Sequence, residues 1–397
     1  MEVVRRSGLI VLVTLMVWYN CSKTISLPVE ETLDYAVQQY LRTANALDPE
    51  AGLPRTTDAD GKWVVTSPAD WTSGFYPGVL WYLYEYSANE ELKLQAERWT
   101  AMLEQQKNDT SHHDVGFQIF CLYGNGYRLT GNRAYKDVII QAANSLATRY
   151  NPVVGAIKSW SWNPDPPQWT YPVIVDNMMN LELLFWASKN GGDHSLGELA
   201  VQHANTTLEH HVRDDGSTYH LVDFNPKSFE FESARTWQGY SMSSTWSRGQ
   251  AWGLYGFTMA YRETSDEKFL KTAMRMADFI VENLPRDGVP YWDFRALDIP
   301  DAKRDASAAA ITASALLELH EYVDAEPLRA QYLETAIQIL HTLCSERYLT
   351  RGLNSDALLL HCVGSHPENR EMDVPLIYAD YYFVEALIRY RNLSENN

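Results

Sequence analysis

Cysteine is scarce in this chain. Four residues, Cys21, Cys121, Cys344 and Cys362, are spread over 397 positions, too few to staple a fold of this length. No CxxC, HExxH, phosphate-binding Gly-rich loop or GxGxxG spacing occurs, which leaves zinc, nucleotide and dinucleotide chemistry without a carrier. No metal and no cofactor is expected. Basic residues are also few: 33 Lys and Arg stand against 51 Asp and Glu, a net charge of −18. A nucleic-acid binder needs a basic footprint, so that class of partner is excluded. A small anionic ligand is not, because one local basic pocket can hold it. There is a single long apolar run, Gly8–Tyr19, preceded by Arg5 and Arg6. It is too short to span a bilayer and reads as the core of an export leader, residues 1–24. Without that leader the net charge is −20, because it carries three basic residues and one acid. Cys21 follows the run where a bacterial lipoprotein is cleaved and lipidated. Trp18-Tyr19-Asn20 make a poor lipobox, so periplasmic release and lipid anchoring through Cys21 both stay open. Cys344 and Cys362 are free to pair after export.

Aromatic residues are abundant: 13 Trp, 24 Tyr and 12 Phe. That many Trp suits a cleft that stacks on sugar rings. Residues 25–397 read as one domain built on a repeated pattern. An apolar helix ends in a short polar turn and an amphipathic helix follows, at 71–86 with 90–103, 114–129 with 133–150, 176–187 with 195–211, 246–262 with 268–284, and 305–322 with 327–344. Helix 376–391 is left over at one end, and 28–47 at the other can partner it. The first helices are apolar nearly all round, as in GVLWYLY and AAAITASALLEL, and must be covered on several sides. The second carry one stripe at a 3.6-residue period, such as Ala273, Met276, Phe279, Ile280 and Leu284. An inner ring inside an outer ring satisfies both. The expected fold is all-α, an (α/α)6 toroid of six helical hairpins. Alternation at period 2 is sparse, so little strand is expected.

The long connections, 151–175, 212–245, 285–304 and 345–375, all lead into inner helices. They should gather on one face, at helix N-termini, a setting that suits an anion and commonly holds function. Asp70, Asp114, Asp176 and Asp305 stand at these helix mouths. Asp70 and Asp305 read as caps. Asp114 and Asp176 open strongly apolar helices, where a carboxyl can be raised in pKa and donate a proton near neutrality. Arg248 and Trp252, four apart, share a helix face and suggest a carboxylate clamped against a ring. The Trp-rich loop SWSWNPDPPQW, 159–169, serves as a stacking wall or as a loop anchor.

These segments together resemble glycoside hydrolase family 88, the unsaturated glucuronyl hydrolases. The matching stretches are DWTSGFYPG at 70–78, HHDVGF at 112–117, VDNMMNLELLFWA at 175–187, WSRGQAWGLYGF at 246–257, DIPDAKRDASAAAI at 298–311 and DVPLIYADYYFVEAL at 373–387. The resemblance implies the same toroid and an unusual reaction. A lyase leaves a C4=C5 double bond on the terminal uronate of a glycan fragment, and the enzyme hydrates that enol ether instead of attacking the anomeric carbon. The implied partner is an unsaturated uronate-terminated oligosaccharide, most simply a glycosaminoglycan fragment; rhamnogalacturonan or ulvan fragments are the alternative, and a non-catalytic glycan-binding lipoprotein is the alternative from another class. By resemblance Asp176 is the general acid/base and Asp114 the second essential carboxylate. His220, Gln238, Arg248 and Trp252 line the uronate pocket, and Trp71 and Trp162 supply aromatic walls, Trp160 competing with Trp162. Ser365 and Arg370 lie where some relatives bind sulfate on the next sugar. Here Glu368 replaces a hydroxyl residue, and an acid disfavours sulfate.

Overall fold

Three of the inner-to-outer turns are built alike. A residue in the left-handed region ends the inner helix and the next residue caps the outer one. Ala88 (φ 50), Gly131 (φ 66) and Ser265 (φ 57) close the first helices. Asn89, Asn132 and Asp266 then accept the amide hydrogens of Glu91, Ala134 and Lys268. This pairing satisfies orphan carbonyls and amides within two residues and reverses the chain tightly.

The computed structural model describes residues 27–395, apart from 166, 226 and 229. Residues 1–24 and Cys21, the segment read as a leader, lie outside the described residues. The helices are α1 (Val29–Ala46), α2 (Phe75–Ser87), α3 (Glu90–Ala101), α4 (a π-helical stretch Gly116–Gly124 continued by Asn125–Thr130), α5 (Arg133–Ala147), α6 (a 3-10 turn Val175–Asn180 continued by Leu181–Lys189), α7 (Ser195–His211), α8 (Ser247–Thr264), α9 (Glu267–Asn283), α10 (Ala306–Leu319), α11 (Glu326–Leu343) and α12 (Ile377–Glu395). The even-numbered helices pack side by side into a closed ring, α12 returning to α2, and each odd-numbered helix backs its partner from outside. All fourteen residues of α10 are buried, in keeping with a sequence of small and apolar residues nearly all round. The chain is the (α/α)6 toroid that the helical periodicity predicts.

The long connections hold more strand than expected. Among the described residues are four antiparallel sheets: β1 (Leu53–Thr57) with β2 (Trp63–Thr66), β3 (Tyr150–Asn151) with β4 (Ala156–Ile157), a three-stranded sheet of β5 (Tyr171–Ile174), β6 (Leu221–Phe224) and β7 (Phe231–Arg235), and β8 (Cys362–Ser365) with β9 (Arg370–Val374). β5 and β6 are buried along their whole length, so they show no period-2 alternation to read. Cys121, Cys344 and Cys362 are free thiols, and the Cys344–Cys362 pairing does not form. Cys344 caps the C-terminus of α11 while Cys362 begins β8.

Candidate active site

The mouths of the inner helices surround a cavity of about 360 Å³. It is lined by Asp114 from the entrance to α4, Asp176 from α6, Arg248 from α8 and Tyr378 from α12, with His220, Trp237 and Gln238 from the strand region and Gly364, Glu368, Arg370 and Glu371 from the last hairpin. A cavity of about 550 Å³ opens at the opposite end of the ring, but its charged side chains pair with one another. Arg128 grips Glu85, Arg262 bridges Glu182 and Glu263, and Arg389 reaches Glu385. The reactive carboxylates belong to the smaller cavity.

Asp176 sits in the tight first turn of α6 and is 8% exposed. Burial, with help from the Asp114 charge, pushes its carboxyl up to about 7 against the pull of Arg248. Its Oδ2 lies 3.6 Å from His220 Nε2, and neither atom has a hydrogen-bond partner among the described residues. The His220 tautomer is set by the backbone. Its Nδ1 accepts the amide hydrogens of Trp237 (3.0 Å) and Gln238 (3.2 Å), so a neutral ring carries its proton on Nε2, facing Asp176. Burial, the neighbouring His211 and the Arg248 charge hold that ring neutral, pushing its pKa down to about 3.

Asp114 behaves oppositely to the expectation of two raised carboxyls. Burial works against its charge, but His113 and His112 outweigh it and keep the carboxylate well below its usual range. His113 Nε2 is 3.2 Å from Oδ1, and His112 Nδ1 is 3.3 Å from Oδ2. Close approach locks the two helix mouths together. Asn180 Oδ1 accepts the Phe117 amide at 2.9 Å, and a Cβ on Gly116 would meet Asn180 Cα at 2.6 Å. The cavity thus contains one carboxyl poised to exchange a proton near neutrality and one fixed as an anion.

Arg248 is 1% exposed. Its Nη1 donates to Asp305 Oδ2 at 2.8 Å and to Val363 O, and its Nη2 donates to Gly364 O at 2.6 Å. Asp305 caps α10 through the Ser307 amide, so it is both the expected cap and a buried counter-ion. Nε of Arg248 has no partner, leaving an edge of the guanidinium for a ligand. The plane lies 4.4 Å from the centre of the Trp246 ring and 5.2 Å from that of Tyr378. The clamp with Trp252 does not exist. Trp252 is fully buried against Phe117 and Tyr382, because four residues carry it about 6 Å down the helix into the ring. The partners of Arg248 are Trp246 and Tyr378 instead.

Trp71 lines the cavity and packs on Tyr378, ring centres 5.0 Å apart. Trp160 and Trp162 both line it and stack at 5.3 Å. Trp162 is 51% exposed, while Trp169 behind it is buried, so one loop is wall and anchor at once. Gln238 lines the cavity and donates to Gly364 O at 3.2 Å. Arg370 lies at the rim, paired with Glu368 at 3.2 Å. Ser365 does not line the cavity; it is buried in β8 opposite Arg370. The sequence reading missed Arg55, Trp237, Glu371 and Tyr378. Arg55 holds both Asp70 oxygens and Glu371; it sits on a five-residue strand with no motif to flag it. Asp70, expected as a cap, does accept the Thr72 amide.

The family model for Glycosyl Hydrolase Family 88 matches residues 56–316. An unsaturated glucuronyl hydrolase of Formosa agariphila is 48% identical over 328 residues, covering 82% of this chain and 80% of that protein. A solved unsaturated glucuronyl hydrolase specific for heparin aligns with a TM-score of 0.88 at 41% identity, over 92% of this chain and 98% of the other. The solved enzyme of Bacillus sp. GL1, described as responsible for glycosaminoglycan degradation, aligns at 0.85 and 30%, over 91% and 96%. The match spans the ring and the helix mouths that carry Asp114, Asp176 and Arg248, and on that ground the chain belongs to glycosyl hydrolase family 88.

Proposed function

We propose that the chain is an unsaturated glucuronyl hydrolase, a glycosidase that removes the 4,5-unsaturated uronate from lyase-generated glycosaminoglycan fragments. The observation that carries the reading is the division of labour between the two carboxyls: Asp176 titrates near 7 and Asp114 stays ionised. Protonated Asp176 gives its proton to C4 of the enol ether, and positive charge develops at C5 and the ring oxygen. A water adds at C5 and yields a proton to the Asp176 carboxylate, restoring the acid. The C5 hemiketal opens, the acetal at C1 becomes a hemiacetal, and its collapse releases the rest of the oligosaccharide. Asp114 accepts hydrogen bonds from the ring hydroxyls, and the free edge of Arg248 takes the uronate carboxylate. Trp71 and Trp162 wall the sugars. His220 directs its Nε2–H toward the Asp176 carboxyl and steadies it when ionised.

Arg370 is engaged by Glu368 and Arg55 by Asp70 and Glu371, so among the described residues the two rim arginines already have acidic partners. This favours an unsulfated neighbouring sugar. The export reading rests on Arg5, Arg6 and the apolar run behind them, and it supports a periplasmic enzyme, released or lipid-anchored through Cys21.

The test is turnover of a panel of unsaturated disaccharides, sulfated and unsulfated, followed by loss of the conjugated enoate absorbance. Turnover is expected, fastest without sulfate. Asp176→Asn should fold and lose at least about 1000-fold in kcat, because an amide bonds but does not transfer a proton. A folded, fully active Asp176→Asn protein rejects the mechanism. No turnover of any glucuronyl member rejects the substrate class.

A further inference from the structure

Asp114 is gripped from outside the cavity as well as from within. His112 is absent from the cavity lining, yet its Nδ1 lies 3.3 Å from Asp114 Oδ2 and 3.1 Å from the Asp114 amide nitrogen. Its Nε2 lies 3.2 Å from Asp109 Oδ2. Asp109 is itself pinned, accepting the Ser111 amide at 2.7 Å. Burial opposes its charge, but Ser111, His112 and Arg149 keep it below its ordinary value. The ring therefore stands between two fixed carboxylates.

We propose that His112 is a positioning residue for the hydrolysis: an Asp109–His112–Asp114 bridge ties the orientation of the Asp114 carboxylate to the protonation of a ring that never touches substrate. A protonated ring donates through both nitrogens, to Asp109 and to Asp114 Oδ2. A neutral ring keeps its Nε2–H on Asp109, and its Nδ1 turns acceptor for the Asp114 amide. Asp114 Oδ2 then loses its donor and the carboxylate is held at Oδ1 by His113 alone. The charged and titratable groups facing the ring are Asp109, Asp114, the adjacent His113, and Arg149, whose Nη1 donates to Thr110 O at 2.6 Å. Burial and Arg149 oppose a charged ring; the two carboxylates outweigh them and raise its pKa above 6.5. The bridge is thus closed while the ring holds its proton and opens as pH rises through the raised His112 pKa. Activity then falls there through two ionisations, His112 and Asp176, and the alkaline limb is steeper than one proton.

The inference rests on the reading of Asp114 as an essential carboxylate, and the test separates the two. Histidine 15N NMR and the pH profile of kcat/KM are recorded for the parent, Asp109→Asn and His112→Gln, with thermal melts as a folding control. In Asp109→Asn the loss of a carboxylate at contact distance should lower the His112 midpoint by about one pH unit, and the alkaline limb should move with it. In His112→Gln the limb should fall to a single ionisation, with kcat/KM reduced about tenfold or more at pH 6. A His112 midpoint that stays put in Asp109→Asn overturns the bridge. A midpoint that moves while both pH profiles superimpose on the parent overturns its role. An active Asp114→Asn enzyme removes the underlying reading but leaves the 15N coupling standing.

Discussion

Two aspartates at equivalent helix mouths end with opposite chemistry because of what flanks them. Asp114 follows two histidines, and both turn back onto it. Asp176 has beside it, among the described residues, a neutral His220 whose Nε2 lies 3.6 Å from Oδ2. The raised carboxyl has a price in stability. A group whose folded pKa lies above its unfolded value supports folding at low pH and loses that support as pH rises through the folded pKa. For Asp176 the window runs from the ordinary 3.8 to about 7. Asp176→Asn should therefore melt like the parent below pH 4 and become more stable than it as pH rises to 7, levelling off beyond at about 1 kcal/mol or more. Melts in a pH series check this; a variant no more stable than the parent at pH 8 means Asp176 is not held in a raised state. The turnover profile runs in parallel, with kcat/KM falling above pH 7 as the acid form is depleted.

At the scale of elements, the helices were legible and the strands were not. The inner helices announce themselves by runs apolar nearly all round, the outer ones by an apolar stripe of the right period, and three outer helices also by the caps Asn89, Asn132 and Asp266. The strands are two to five residues long, too short for a period to register, and β5 and β6 are buried along their whole length. Because those strands and hairpins deliver Arg55, Trp237 and Glu371 to the cavity, these three were missed; the fourth, Tyr378, is on α12. Trp252 shows the reverse failure: helical spacing correctly gave a shared face with Arg248, but a face runs from mouth to core. The hairpin of β8 and β9 also fixes Arg248, through carbonyls of Val363 and Gly364, while α10 fixes it through Asp305. Asp305→Asn keeps the cap acceptor but strands a buried guanidinium charge. Its cost should be about 3 kcal/mol or more, and on the proposed uronate contact, made by Arg248 in ground and transition state alike, KM should rise more than kcat falls. Denaturant unfolding and steady-state kinetics measure both; an unchanged KM removes Arg248 from the uronate site.

At the scale of the whole molecule, a toroid must close, and the closure here joins the two ends of the described chain. α1 packs against α2 and α12. Tyr40 donates to Asp380 Oδ2 at 2.9 Å, Arg42 reaches Asp356 at 3.0 Å, and Arg391 reaches Glu30 at 2.9 Å. Asp380 is fully buried, and burial pushes its carboxyl up to about 7 even with the Leu358 and Leu359 amides and Tyr40 donating to it. Stripping one donor from such a group exposes the desolvation cost of the rest. Deleting residues 1–47 removes Tyr40 together with the apolar face of α1, formed by Leu33, Ala36, Tyr40 and Ala44, and leaves α12 and Asp380 facing water. The inner ring then loses its outer backing at the α12–α2 seam, and the expected result is loss of the cooperative melt and of turnover together. A chain starting at residue 27 keeps every one of these contacts and should melt and turn over like the longest form. Cavity and closure lie on the same structure, because α12 carries both Tyr378 into the site and Asp380 to α1. If the deletion through residue 47 still melts cooperatively and hydrolyses substrate, the inner ring closes through α12 and α2 alone and does not depend on its first helix.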